Sequence, residues 1–334
     1  MNKILFRADA KPAIGTGDLV SLIQLAKTFD KKGWESWFMI RDSQGAKSLM
    51  ADYAITRFEV IPDSYSPANE VADLNDFLSE NGFSHLFLCI TERSLTDYAK
   101  LFPAIVKGCI NFDGVVTKDW NLVVNWNFPE PTLYKQENFP ETRFLLGPEF
   151  VILPDNFDQG VIEKRTFKKP IQKLLITMGG ADEFNLTTEV VRKIIEEKLD
   201  LRLTIILGAA FGAQAELNAL LASSGLTYEC KTAVSDMFAE YMSCDAAIGT
   251  GGLTSSELVA THTPALLVAA YEHQSARCNH FDDHKMAIFL GDKQEYKSKS
   301  LGKYISELET FNASNFTIQF HGREAIFDAF SQIY

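Results

Sequence analysis

Short apolar runs separated by polar turns recur along the whole chain. In the first half they fall at residues 3–7, 36–40, 57–61, 85–90, 109–112 and 122–124. Between the first two, Leu19, Leu22, Ile23, Leu25, Ala26 and Phe29 repeat at helical spacing, and residues 68–81 and 94–102 also fit helices. In the second half, runs at 173–178, 201–207, 228–231, 246–248, 265–270 and 287–290 alternate with helix-like stretches at 211–223, 235–242 and 253–261. Alternation of short apolar runs with amphipathic helices predicts parallel sheets covered by helices, an α/β protein. Residues 153–170, rich in Pro, Asp, Lys and Gly, break the rhythm and predict a linker. The expected division is an N-terminal parallel-sheet domain over 1–152, a second over 171–318 and a terminal helix over 319–334. That helix carries Ile326, Phe327, Phe330 and Ile333 on one face.

Three of the strand ends carry glycine. The run at 246–248 leads into Gly249-Thr250-Gly251-Gly252 and then a helix with Thr254, Ser255, Ser256 and Glu257. Glycine lets backbone approach a ligand closely, and the first amides of a helix receive anions. Glu257 lies just over one turn in, where a carboxylate can accept from a ribose diol. The stretch therefore reads as a site for a phosphorylated nucleotide. On these residues alone a plain tight turn is an equal alternative for Gly251-Gly252, and for Glu257 an answer to the helix dipole is the favoured one. The other two ends are Arg7 to Asp18, with Asp9, Gly15 and Gly17, and Met178-Gly179-Gly180-Ala181-Asp182. Ligands of parallel sheets bind beyond the carboxyl ends of the strands, which is where these turns lie. Asp182 and Asn185 are candidate helix caps.

With 334 residues, two domains are the natural expectation. A net charge of −12 argues against nucleic acid or an anionic membrane as the main partner. The five cysteines show no CxxC pair and sit mostly in apolar runs, so reduced buried thiols are expected. No leader pattern and no run of ~20 apolar residues is present, which predicts a cytoplasmic protein without a transmembrane segment. His280 and His284 lie four apart but lack a third ligand, so no metal site is expected.

Glycine turns at these three places, in this order, resemble the MurG-like GT-B sugar-nucleotide enzymes, and within them the PseG family of UDP-sugar hydrolases. The resemblance rests on Arg7-Ala8-Asp9, Ile14-Gly15-Thr16-Gly17, Leu25-Ala26, Leu146-Gly147-Pro148-Glu149-Phe150, Met178-Gly179-Gly180-Ala181-Asp182 with Asn185-Leu186-Thr187, and Gly251-Gly252-Leu253-Thr254-Ser255-Ser256-Glu257 followed by Glu272-His273-Gln274. It implies a GT-B fold, two Rossmann-like domains facing across a cleft, and a UDP-linked sugar as substrate with no cofactor. Glu257 would hold the ribose, and Gly251, Gly252, Thr254 and Ser255 the phosphates. Met237 would lie near the base and Gln274 near the sugar or diphosphate. Arg7, Asp9, Gly15, Gly17, Asn127, Gly179 and Gly180 would line the substrate.

The family's catalytic histidine is Asp18 here. A carboxylate is a weaker base than imidazole, and burial would strengthen it. Asp18 as base and Asp18 as mere helix cap stay open, with His273 the best substitute acid or base. Three functions follow: a UDP-sugar hydrolase, a GT-B glycosyltransferase in which an acceptor hydroxyl replaces water, and a non-catalytic sugar-nucleotide binder. Residue pattern alone is silent on the sugar and on oligomeric state.

Overall fold

The computed structural model describes residues 2–10, 16–90, 94–98, 101, 104–128, 132–157, 159–208, 210–232 and 234–333. The chain forms two compact units, Met1–Pro154 with Phe320–Tyr334, and Asp155–Gln319. Among the described residues no helix is long and apolar enough to cross a membrane.

The first unit is built on seven parallel strands: β1 (Lys3–Ala8), β2 (Glu35–Arg41), β3 (Phe58–Ile61), β4 (His85–Cys89), β5 (Val106–Ile110), β6 (Leu122–Asn125) and β7 (Arg143–Leu146). Their order across the sheet is β3-β2-β1-β4-β5-β6-β7. The second unit has six parallel strands: β8 (Lys173–Thr177), β9 (Arg202–Leu207), β10 (Thr227–Thr232), β11 (Ala246–Thr250), β12 (Ala265–Ala269) and β13 (Ile288–Asp292). Their order is β10-β9-β8-β11-β12-β13. In both sheets the winding reverses beside the first strand, between β1 and β4 and between β8 and β11. A doubly wound sheet opens a crevice at that reversal, beyond the carboxyl ends of the strands.

The central strands are apolar because helices cover both of their faces. All five residues of β4, β11 and β12 are buried. In the first unit Phe6 packs on Phe29, Phe38 and Phe87. The helix Gly322–Ser331 adds Ile326 and Phe330, both at 0% exposure. The Phe330 ring lies 5.6 Å from Phe87 and 5.0 Å from His85, and Phe327 lies 4.9 Å from Phe29. Burying each such side chain stabilises by about 1.5–3 kcal/mol.

Some elements depart from the pattern. The helix expected over 94–102 is a single 3₁₀ turn at Leu95–Tyr98 among the described residues. Strand β5 begins at Val106, earlier than the apolar run at 109–112, because the buried Lys107 interrupts the pattern without interrupting the strand. Strand β7 and the helices Gln44–Asp52 and Leu301–Leu308 were not expected. Within 155–170 the chain makes the short helix Gln159–Ile162. Beyond it Arg165 donates to the carbonyls of Tyr241, Cys244 and Thr261.

Candidate functional site

In the second unit the end of β11 turns through Gly251 and Gly252 into the helix Leu253–Ala260. A Cβ at Gly251 would lie 2.4 Å from Cys278 Sγ and 2.8 Å from Gln274 Cβ, so only glycine fits there. The helix starts without a side-chain cap, which leaves its first amides as donors for a ligand. Ser255 is enclosed, and its hydroxyl donates to the Gly252 carbonyl at 2.8 Å, so it shapes the turn rather than offering a proton outward.

Glu257 is the carboxylate of this site. Its Oε2 accepts from the Tyr241 hydroxyl at 2.8 Å, and its Oε1 has no protein partner among the described residues. Burial holds the Glu257 carboxyl above its ordinary range, against the opposing pull of the Tyr241 bond. Met237 opens the helix Met237–Ser243 that carries Tyr241, capped by Asp236 through the Ala239 amide.

The turn after β12 completes the arrangement. Gln274 Oε1 accepts from the Ala270 amide at 3.0 Å. Its Nε2 faces Gly252, 3.6 Å from where a Cβ would stand there, with its donors uncommitted among the described residues. Arg277 donates to the Gly252 carbonyl at 2.9 Å. Burial lowers its pKa to about 10, so it stays cationic at neutral pH and adds positive charge behind the glycine turn. His273 is an exposed residue whose ring stacks on Tyr271 at 5.7 Å. Partial enclosure of the ring and the Arg277 charge lower its pKa.

Across the reversal lies the turn after β8. Gly179 has φ +85°, a left-handed conformation suited to glycine, and a Cβ there would stand 3.9 Å from Thr250 Oγ1. Thr250 therefore joins the two glycine turns. Asp182 accepts from the amides of Leu186 and Thr187, both at 2.8 Å, and so caps its helix. Asn185 occupies the cap position but makes no side-chain bond to the helix amides.

In the first unit, the helix Gly17–Lys31 begins after Thr16, which holds the cap position without a side-chain bond. Asp18 is thus in the first turn rather than at the cap, and it is half-buried. Burial first and the nearby Asp18 carboxylate second push the Cys89 thiol, at the end of β4, well up. Cys89 pairs in register with Ala8 of β1, which places Asp18 at the winding reversal. Gly17 leads the helix with open space on its Cβ side, while Gly15 lies outside the described residues.

Arg7 and Asp9, expected to line the substrate, are 0% and 4% exposed and grip each other. Arg7 Nε also donates to Glu70 Oε1 at 2.8 Å, and Arg41 Nη2 donates to Glu70 Oε2 at 2.7 Å. Asp9 Oδ1 accepts from the Arg41 amide, and the Tyr98 hydroxyl donates to Glu70 Oε1. A buried charge survives only when paired and hydrogen-bonded, and here each guanidinium has two carboxylates. Asn127 is half-buried, its amide donating to Asn125 Oδ1 at 2.8 Å. Tyr241, Arg165 and Arg277 were missed, since nothing in local spacing joins them to Glu257 or the glycine turn. Among the described residues no group of three or more His, Cys, Asp or Glu is arranged for a metal ion. His280 and His284 simply stack at 3.9 Å.

No family model matches the chain. It is 29% identical over 161 residues to the spore coat polysaccharide biosynthesis protein SpsG of Bacillus subtilis, covering 48% of this chain and 46% of that protein. The chain spans less than half the length of the curated relatives it matches. Among solved structures, MurG of Acinetobacter baumannii aligns over 100% of both chains with a TM-score of 0.69 at 14% identity. MnaA of S. aureus, solved with UDP, aligns over 98% of this chain and 95% of its own with a TM-score of 0.62 at 13% identity. Likeness at such identities establishes the fold: two parallel-sheet α/β units of the MurG-like GT-B kind.

Proposed function

We propose that the chain is an enzyme acting on a UDP-activated amino or deoxy sugar in surface polysaccharide or nonulosonic acid biosynthesis, breaking the anomeric C–O bond with release of UDP. The observation that carries this is Glu257: a largely desolvated carboxylate with one oxygen uncommitted, just over a turn beyond the uncapped start of the helix Leu253–Ala260. Such a pair suits a ribose diol followed by a diphosphate. Further support comes from SpsG, a protein named for polysaccharide biosynthesis, and from a fold shared with MurG and with a UDP-bound structure.

In the hydrolytic form, a water oxygen attacks the anomeric carbon. The bond from that carbon to the β-phosphate oxygen breaks, and its electron pair leaves on UDP. The water proton passes to the Asp18 carboxylate. Helix amides after Gly252 and the Gln274 Nε2 donors stabilise the charge that develops on the departing diphosphate. Calorimetry with UDP, CDP and GDP, followed by product analysis on UDP-sugars, tests the whole proposal. UDP is expected to bind in preference to the others, and Asp18→Ala to lower UDP release by about 10²–10⁴-fold. Failure of UDP to bind rejects the nucleotide site, whereas full activity in Asp18→Ala removes only Asp18 from the mechanism.

A second reading, transfer to an acceptor hydroxyl, is favoured by one residue. Asp18 supplies a carboxylate where the resembling hydrolases have histidine, and a carboxylate base suits deprotonation of an alcohol. UDP release at the same rate without any acceptor would reject it.

A further inference from the structure

We infer that Tyr241 is a positioning residue that makes the second unit select a ribonucleoside diphosphate over its 2′-deoxy counterpart. This rests on the nucleotide site proposed above. The Tyr241 side chain is 0% exposed, so it touches no ligand itself. Its hydroxyl has one proton, and the ionised Glu257 is an acceptor only, so that proton goes to Glu257 Oε2 across 2.8 Å. The direction of that bond is therefore fixed, from Tyr241 to Glu257.

The terminal torsion of a glutamate is soft, so a carboxylate free of partners samples many orientations. Tyr241 removes that freedom by fixing Oε2 and thereby aiming Oε1. Arg165 braces the pair from behind. Its Nη1 reaches the carbonyls of Tyr241 at 2.8 Å and Thr261 at 3.2 Å, and its Nη2 reaches Cys244 at 2.8 Å. Those carbonyls end the helices Met237–Ser243 and Leu253–Ala260, so one guanidinium ties the element bearing Tyr241 to the element bearing Glu257. A diol then meets an acceptor already aimed, whereas a ligand lacking one hydroxyl leaves part of a desolvated carboxylate unsatisfied. Sites built to bond a hydroxyl reject the analogue without it for that reason.

Calorimetric affinities of the full chain for UDP and 2′-deoxy-UDP test this. The wild type is expected to favour UDP by about ten-fold or more. In Tyr241→Phe that preference should fall at least several-fold, mostly through weaker UDP binding, with the thermal midpoint recorded alongside. Arg165→Lys, which loosens the tie between the two helices, should shift the preference in the same direction by less. An unchanged ribose preference in a folded Tyr241→Phe overturns the role of Tyr241 while leaving the nucleotide site standing. A wild type that binds neither ligand overturns both. If Tyr241→Phe does not fold, an unchanged preference in a folded Arg165→Lys overturns the positioning.

Discussion

Each sheet has carboxylates at the carboxyl ends of its strands, a buried pair in the first unit and the half-buried Glu257 in the second, and they are wired in opposite ways. In the first unit, both oxygens of Asp9 and both of Glu70 take up Arg7, Arg41 or Tyr98, so no carboxylate oxygen is left over, although Arg41 Nε, 3.5 Å from Asp9 Oδ2, makes no hydrogen bond. In the second, Glu257 has one donor, and Gln274 keeps its amide protons uncommitted among the described residues. Enclosed charge therefore does not mark a site by itself. What distinguishes the end of β11 is hydrogen-bonding capacity left over after the protein's own bonds are made. A balanced buried cluster contributes little net stability, yet unbalancing it is costly.

The sharpest way to break this comparison is Glu70→Gln. It removes one charge from the closed cluster and leaves two arginines facing Asp9, so a loss of about 3–5 kcal/mol in unfolding free energy is expected. UDP affinity in the protein that remains folded should be unchanged; denaturant unfolding and calorimetry check the two halves. Glu257→Ala should do the reverse. UDP affinity falls by about 1.5–3 kcal/mol, the worth of bonds to a charged acceptor, with a smaller thermal shift than Glu70→Gln.

The smallest effect is a pH dependence. Because burial raises the Glu257 carboxyl, ionising it costs the folded apo protein stability as pH rises from the ordinary glutamate range through the raised value. UDP requires the ionised form, so its affinity should weaken as pH falls through that same value, by at most about ten-fold per pH unit. Titrating affinity against pH for the wild type and Glu257→Gln, which shares the ligand's own phosphate titration, isolates the effect. Parallel profiles would show that Glu257 does not meet the ligand.

Much of this was legible along the chain, for physical reasons that also explain the gaps. The sheets announced themselves because strands buried on both faces must be apolar, as in β4, β11 and β12. Gly251 and Glu257 stood out because a close turn and an early helical carboxylate are local features. Tyr241 did not: its phenol sits in an apolar helix and reads as core, and its partner lies 16 residues away. Arg41 and Glu70 were hidden for the opposite reason, since spacing assigns charges to the solvent face, and only the fold shows both enclosed. Arg7 and Asp9 were visible as residues but not as partners of each other. Arg165 lay in a stretch without periodicity, where no pattern could say what it held.

The helix Gly322–Ser331 returns to the first unit after the whole of Asp155–Gln319 has intervened. A ribosome delivering this chain from its amino end would release the second unit before Phe330 arrives to cover His85 and Phe87. Until then the earlier-made sheet holds an uncovered apolar face in the crowded cell, where exposed apolar surface invites aggregation. Nascent molecules stalled just short of that helix should therefore be the ones that chaperones grip hardest.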